Sequence, residues 1–250
     1  MRRKEIIRPD LNPNVSVDCV IFGFDFQQLK VLLIEREGDF PDEKSRLALP
    51  GNLIYDDENL NMAVNRVLKE LTGLDNIFLK QIGAFGGVDR ISKETDKEWL
   101  RSIRAHPDAR VITVAYYSLV RISDYLPAAS SFAVTANWYN VDEIKDLAFD
   151  HYTILKTGLN QLRREISFRP IGFNLMPEKF TLGQLQRMYE AILGRSLDKR
   201  NFRRKIMKIN ILSATDEKEY DVPHKPAQYF KFNEANYKSL VETGFDNFSF

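Results

Sequence analysis

PGNLIYDDENLNMAVNRVLKELTGL, residues 50–74, reads as a loop that feeds a helix. Pro50-Gly51-Asn52 is a turn signal, and the acidic run Asp56-Asp57-Glu58 suits the positive N-terminal end of a helix. Gly73 is a natural stop, because glycine tolerates the left-handed backbone that closes many helices. Between these ends Leu60, Ala63, Val64, Val67, Leu68 and Leu71 recur at intervals of three and four, an apolar stripe about one face wide. Glu58, Arg66 and Glu70 fall off the stripe, and Arg66 precedes Glu70 by one turn, so the two are placed to pair.

The spacing of this stretch resembles a Nudix box: glycine, five residues, Glu, seven residues, then Arg-Glu-apolar-x-Glu-Glu-x-Gly-apolar. Glu58, Arg66, Leu68, Glu70, Gly73 and Leu74 match without gaps, while Asn52, Val67 and Leu71 replace the first glycine and two glutamates. Nudix hydrolases hold magnesium or manganese on that glutamate cluster, and hard divalent cations need several oxygen ligands that apolar side chains do not supply. The resemblance therefore implies a Nudix fold without Nudix chemistry: no catalytic residue and no metal or other cofactor is expected. Glu58, Arg66 and Glu70 read either as remnants of a metal site or as a brace for the loop-helix turn, and the brace is favoured.

The bulk numbers leave the function open. The chain has 250 residues, 44% hydrophobic and 28% charged, ordinary for one large or two modest globular domains. A net charge of +1 gives no overall nucleic-acid signature, so any such footprint must be local. The one cysteine, Cys19, excludes an intramolecular disulfide and lies in an apolar run, where a small buried hydrophobe is the expected role. No apolar run approaches membrane-spanning length, which sets a cytoplasmic protein as the expectation. His106, His151 and His224 are far apart, and no pair has metal-ligand spacing.

Taken in order, residues 1–14 carry Pro9, Pro13 and several charges and are expected to be a flexible arm. From Val15 two strands meet at a polar turn near Gln27-Gln28, residues 91–110 look like a polar insertion with a short helix near Trp99 to Ile103, and Val111 to Val120 is a clear strand. The fold class is mixed α/β (α+β) over 15–152, after which the character changes. An amphipathic helix through Ile154, Leu155, Leu159 and Leu162 opens a second domain, 153–250. There Thr181-x-x-Gln184 is a capping-box start, Gly194-Arg195-Ser196-Leu197 a turn, and DKRNFRRKIMK (198–208) a second helix. Two strands follow, Ile211 to Ala214 and Gln228 to Phe232, which predicts a winged helix-turn-helix.

That second helix carries Lys199, Arg200, Arg203, Arg204, Lys205 and Lys208 against one acid, Asp198, with Phe202 and Ile206 turned inward. A recognition helix needs this arrangement, a narrow seam for docking and an outward face for phosphates and base edges. Asn201 and the arginines suit bidentate contacts with bases, and His224 and Lys225 are candidates on the wing. The alternative is a solvated basic face.

The two halves together resemble the Nudix-related transcriptional regulators, the NrtR-like and arabinose-regulator branches, most specifically in PIGFNLMPEKFTLGQLQRMYEAILGRSLDKRNFRRKI from residue 170 to 206. The resemblance implies an N-terminal sensor, a C-terminal winged helix, and a homodimer on palindromic double-stranded operator DNA, probed by a small effector in the Nudix pocket. It also implies a repressor of a carbohydrate-use, for instance pentose or arabinose, or NAD-related operon, with ADP-ribose-type nucleotides and sugars as effector classes. By position in this fold, Asp18, Phe22, Glu35, Arg36, Phe85 and Arg90 are the ligand candidates, with Asp18 equally readable as a structural acceptor. The competing function is a Nudix hydrolase acting on ADP-ribose or a sugar nucleotide.

Overall fold

A computed structural model describes residues 10–41, 46–220, 223 and 225–243. The chain divides into two compact units. One takes in the chain to Phe22, Val31–Ser118 and Tyr125–Gly158; the other takes in Gly23–Lys30, Leu119–Asp124 and everything from Leu159 onward. The boundary expected at 152/153 falls inside a continuous helix, and the units part six residues later, at Gly158/Leu159. Helical periodicity carries no mark of where one core stops and another begins.

The first unit is organised on a seven-stranded sheet. β1 (Leu11–Phe24), β2 (Leu29–Arg36) and β3 (Leu47–Ala48) are followed by β4 (Gly51–Tyr55), β5 (Lys80–Phe85), β6 (Ile112–Arg121) and β7 (Ala133–Asn140). The order is β3-β2-β1-β6-β5, with β4 paired to β1 and β7 to β2. Every residue of β1 from Ser16 to Phe24 is buried, so it reads as a continuous apolar run rather than an alternation. β1 starts earlier than the flexible arm allowed: Leu11 pairs with Tyr55, and the Asn14 amide donates to the Arg110 carbonyl at 2.9 Å. Pro13 is tolerated because the β1–β4 register shifts between Leu11 and Ser16, where no ladder N–H is required of it.

Helix α1 (Leu60–Thr72) packs on β4 and β7. Asn59 caps it, its side chain accepting from the Met62 N–H, and Gly73 closes it at φ 71°. Ala63, Val64, Val67, Leu68 and Leu71 are its buried face, the stripe read from the sequence. The segment expected as an insertion forms α2 (Glu94–Ile103), with Asp96, Trp99 and Leu100 buried. Only three of its ten side chains are buried, one of them a carboxylate, so the apolar stripe that would have flagged it as part of the domain is nearly missing.

Helix α3 (His151–Phe168) leads into the second unit. There β8 (Phe180–Thr181) runs into α4 (Leu182–Leu193), then α5 (Lys199–Lys208), β9 (Leu212–Lys218), β10 (Gln228–Phe232) and α6 (Glu234–Thr243). The capping box forms as expected: Thr181 Oγ1 accepts from the Gln184 N–H, and the Gln184 side chain accepts from the Thr181 N–H. Gly194 ends α4 at φ 68°, and Asp198 caps α5 by accepting from the Asn201 N–H at 2.8 Å. Tyr189 and Phe202 meet edge-on at 5.4 Å between the two helices, and β8-β10-β9 is the antiparallel sheet behind them. Among the described residues no helix is long and apolar enough to cross a membrane.

Candidate functional site

Two sites emerge, one in each unit. In the first, a small cavity of about 40 Å³ lies where β1, β4, α2 and the start of α3 converge. Asp18 enters from β1 and is 3% exposed. Its register partner on β4 is Gly51, and a Cβ there would stand 1.8 Å from Asp18 Oδ1. The carboxylate therefore occupies the space of a missing side chain, and only glycine fits opposite it.

His151, the first residue of α3, holds the other side. Its Nδ1 accepts the Leu49 N–H at 3.0 Å, so in the neutral ring the proton sits on Nε2, 3.4 Å from Asp18 Oδ1. Burial lowers the pKa of the imidazole below its ordinary value; Asp18 and Asp150 oppose this, while Arg90 and Arg36 reinforce it. Arg90 Nη2 lies 3.0 Å from Asp150 Oδ1 and 3.6 Å from Asp18 Oδ2.

Arg36 is deeper still. It pairs with Asp96 of α2 at 2.9 Å, both side chains 1% exposed, and its guanidinium lies within about 5 Å of the Phe40, Trp99 and Phe149 rings. Desolvation lowers its pKa and Asp96 opposes the shift. Asp96 Oδ2 also accepts the Phe149 N–H at 2.7 Å, which holds Phe149 at φ 54°, in the left-handed region.

Arg104, just past the end of α2, completes the set. It lines both this cavity and an adjoining open cleft of about 1110 Å³, whose other walls include Tyr55, Asp56, Glu70 and Ser130. Its backbone N–H closes α2 on the Leu100 carbonyl at 2.9 Å, and among the described residues its guanidinium makes no hydrogen bond and no ion pair. Burial lowers its pKa to about 10, Asp18 acting against the shift and Arg90 with it, so it stays cationic at neutral pH.

Beside the cleft, Arg66 gathers the loop-helix turn. It donates to both oxygens of Glu58, to Glu70 Oε2 at 2.9 Å and to the Leu53 carbonyl at 3.0 Å, and it stacks 4.2 Å over Tyr55. Glu58 accepts the Tyr55 N–H as well, at 2.7 Å. Burial works to raise the pKa of Glu58, but the Arg66 and Tyr55 hydrogen bonds outweigh it and hold the carboxyl below the usual range. Val67 and Leu71 are fully buried in the core.

The second site is the outer face of α5. Phe202 and Ile206 are buried, and Lys199, Arg200, Arg203, Arg204 and Lys208 are exposed, with Asn201 and Lys205 half-buried. Arg204 donates to Asn201 Oδ1 at 2.8 Å, which orients both side chains along one face. Lys225 is exposed on the connection between β9 and β10; His224 lies outside the described residues.

Each unit has a counterpart among known proteins. Residues 12–157 match the NUDIX domain model, and residues 172–232 match the NrtR DNA-binding winged helix domain model. The Acinetobacter baylyi protein named ADPR responsive transcriptional repressor NtrR is 31% identical over 230 residues, which is 90% of this chain and 84% of that protein. The chain belongs to the NrtR family of Nudix regulators. An ADP-ribose pyrophosphatase from Methanocaldococcus jannaschii is 30% identical over 146 residues, 58% of this chain and 73% of the enzyme. The crystal structure of Shewanella oneidensis NrtR with a 27mer DNA has the same fold, with a TM-score of 0.67 at 24% identity over 90% of this chain and 95% of that one.

In this NrtR-family chain the ligand candidates divide. Asp18, Arg36 and Arg90 line the cavity together; Phe22, Glu35 and Phe85 are not among its lining residues. Glu35 neighbours Arg36 on β2 and so points to the opposite face, where it accepts from the Tyr139 hydroxyl at 3.1 Å. Phe22 shares a face with Asp18 but lies about 13 Å farther along the strand, inside the core. Phe85 is half-buried at the end of β5. Sequence reasoning missed His151, Asp96, Asp150 and Arg104. The one available signal was Asp150-His151 at the opening of an amphipathic helix, since a polar pair at that point either caps the helix or faces a site.

Proposed function

We propose that the chain is a transcriptional repressor whose α5 reads operator DNA and whose Nudix cavity binds ADP-ribose as effector. The observation that carries the effector is the convergence of Arg36, Arg90 and Arg104 on one aromatic-walled site, with the Arg104 guanidinium in no hydrogen bond or ion pair among the described residues. A diphosphate supplies the anion that Arg104 lacks, and Trp99 and Phe132 supply apolar surface. A neutral pentose supplies no anion, so this geometry favours the nucleotide over arabinose and an NAD-related operon over a carbohydrate one. The relative named as ADPR responsive supports the same choice.

Catalysis is not part of the proposal. Of the helix positions that carry metal ligands in the Nudix pattern, Val67 and Leu71 are core residues, and Glu70 is engaged by Arg66. The Methanocaldococcus jannaschii relative keeps the hydrolase reading alive as the competitor, and magnesium- or manganese-dependent turnover of ADP-ribose at ordinary enzyme rates would establish it. The DNA-binding residues we assign are Lys199, Arg200, Asn201, Arg203, Arg204, Lys205 and Lys208, with Lys225 on the wing, used by a homodimer whose two copies of α5 enter successive major grooves. Sedimentation of the protein with and without operator DNA tests the dimer. A 1:1 monomer complex would reject it.

A further inference from the structure

We infer that the cavity distinguishes its effector by the terminal ribose: Asp18 accepts a ribose hydroxyl inside the small chamber, while Arg104 at the chamber's mouth meets the adjoining diphosphate. This rests on the ADP-ribose reading above and adds to it which end of the nucleotide is recognised and by what.

Asp18 lines the cavity at 3% exposure, and its Oδ2 is buried and accepts no hydrogen bond. A buried carboxylate oxygen without a donor is costly, and the protein groups around it are placed for other contacts. Arg90 Nη2 stands 3.6 Å away and is engaged by Asp150 at 3.0 Å, while His151 Nε2 faces the other oxygen, Oδ1. The missing donor has to come from the cavity.

The dimensions then decide which donor. About 40 Å³ admits a few water-sized groups and no aromatic ring. Hydroxyls projecting from a sugar fit; a nicotinamide or adenine does not. Arg104, with Asn52, Ile103 and Phe132, also lines the 1110 Å³ cleft, which has room for the rest of a dinucleotide-sized molecule. A ligand that offers a hydroxyl to Asp18 and an anion to Arg104 satisfies the open acceptor and the unbonded guanidinium at once, and a ribose 5-diphosphate with a free anomeric hydroxyl has this form. ADP has no second ribose and carries adenine on the anomeric carbon of its own, and NAD carries a nicotinamide ring where ADP-ribose has the free anomeric hydroxyl.

The test is calorimetric titration of the full-length protein with ADP-ribose, ADP and NAD, in the wild type and in Asp18→Asn and Arg104→Gln. In the Asn variant the His151 Nε2–H retains the amide oxygen, which turns the amide NH2 toward the cavity in place of an acceptor. Wild type is expected to bind ADP-ribose about tenfold or more tighter than ADP or NAD, because analogues without the anomeric hydroxyl leave a buried Asp18 oxygen without a hydrogen bond. Asp18→Asn should collapse that ratio toward one, and Arg104→Gln should weaken ADP-ribose and ADP in parallel. Wild-type ADP or NAD affinities within threefold of ADP-ribose would overturn the inference without any variant, as would an unchanged ratio in a folded Asp18→Asn protein; in either case the effector reading survives. Absence of binding by all three nucleotides to the wild type would overturn both.

Discussion

At the scale of single residues, the cavity is held by buried charges that depend on one another. Arg36 and Asp96 are a desolvated pair, so Asp96→Ala takes a buried carboxylate from the guanidinium and an acceptor from the Phe149 N–H and should lower unfolding stability by roughly 3–5 kcal/mol in urea titrations. A loss below about 1 kcal/mol would show that the pair is not needed. Gly51→Ala drives a methyl into the Asp18 carboxylate and should lower stability by about 2 kcal/mol or more and loosen effector binding with it. His151 gives a pH signature. Its folded pKa lies below the ordinary 6.5, so below about pH 6.5 the unfolded chain takes up a proton that the folded chain resists. Stability should thus fall as pH drops through that value, and His151→Asn, which keeps an acceptor for the Leu49 N–H, should flatten this part of the profile. Little of this network was legible beforehand. Asp18 was noticeable as a carboxylate in an apolar run, but Asp96 and His151, 78 and 133 residues away in sequence by their numbering, reach it only through the fold. Cys19 behaves as read: burial and the neighbouring Asp18 push its thiol pKa upward, away from reactivity.

At the scale of elements, periodicity and capping chemistry were readable, and the exceptions have physical causes. α1, α4 and α5 carry apolar stripes closed by Asn59, Thr181 and Asp198 at one end, and α1 and α4 by glycine at the other, so short-range rules suffice for them. α2 failed that test because its inward face presents Asp96 to a cavity rather than leucines to a core, and the segment looked dispensable for the reason that makes it useful. In α5 the stripe is narrow and the outer face free of core contacts. Arg203→Ala and Arg204→Ala should therefore leave the melting temperature nearly unchanged while each weakens operator binding by about 1–3 kcal/mol. Asp198→Ala removes the cap and should cost about 1 kcal/mol of stability, with weaker DNA binding following from a frayed first turn. Equal loss of stability in the arginine variants would mean that the basic face supports the fold instead of the ligand.

At the scale of the whole molecule, near-neutral overall charge conceals a separation of tasks. The net charge of +1 hides a basic helix in the second unit, whose cations are offset by acids elsewhere in the chain, and a cavity of buried charge pairs in the first, which is why composition alone excluded so little. Phosphate contacts by α5 should make operator affinity fall steeply with salt, and an effector coupled to DNA binding should change that affinity by about 5–150-fold. The most direct measurement is fluorescence anisotropy of the purified protein on DNA from upstream of its own and neighbouring genes, titrated with ADP-ribose and, separately, arabinose. The account predicts tight, salt-sensitive binding that ADP-ribose releases and arabinose leaves alone. Specific binding that ADP-ribose does not shift, or that arabinose releases instead, would contradict it.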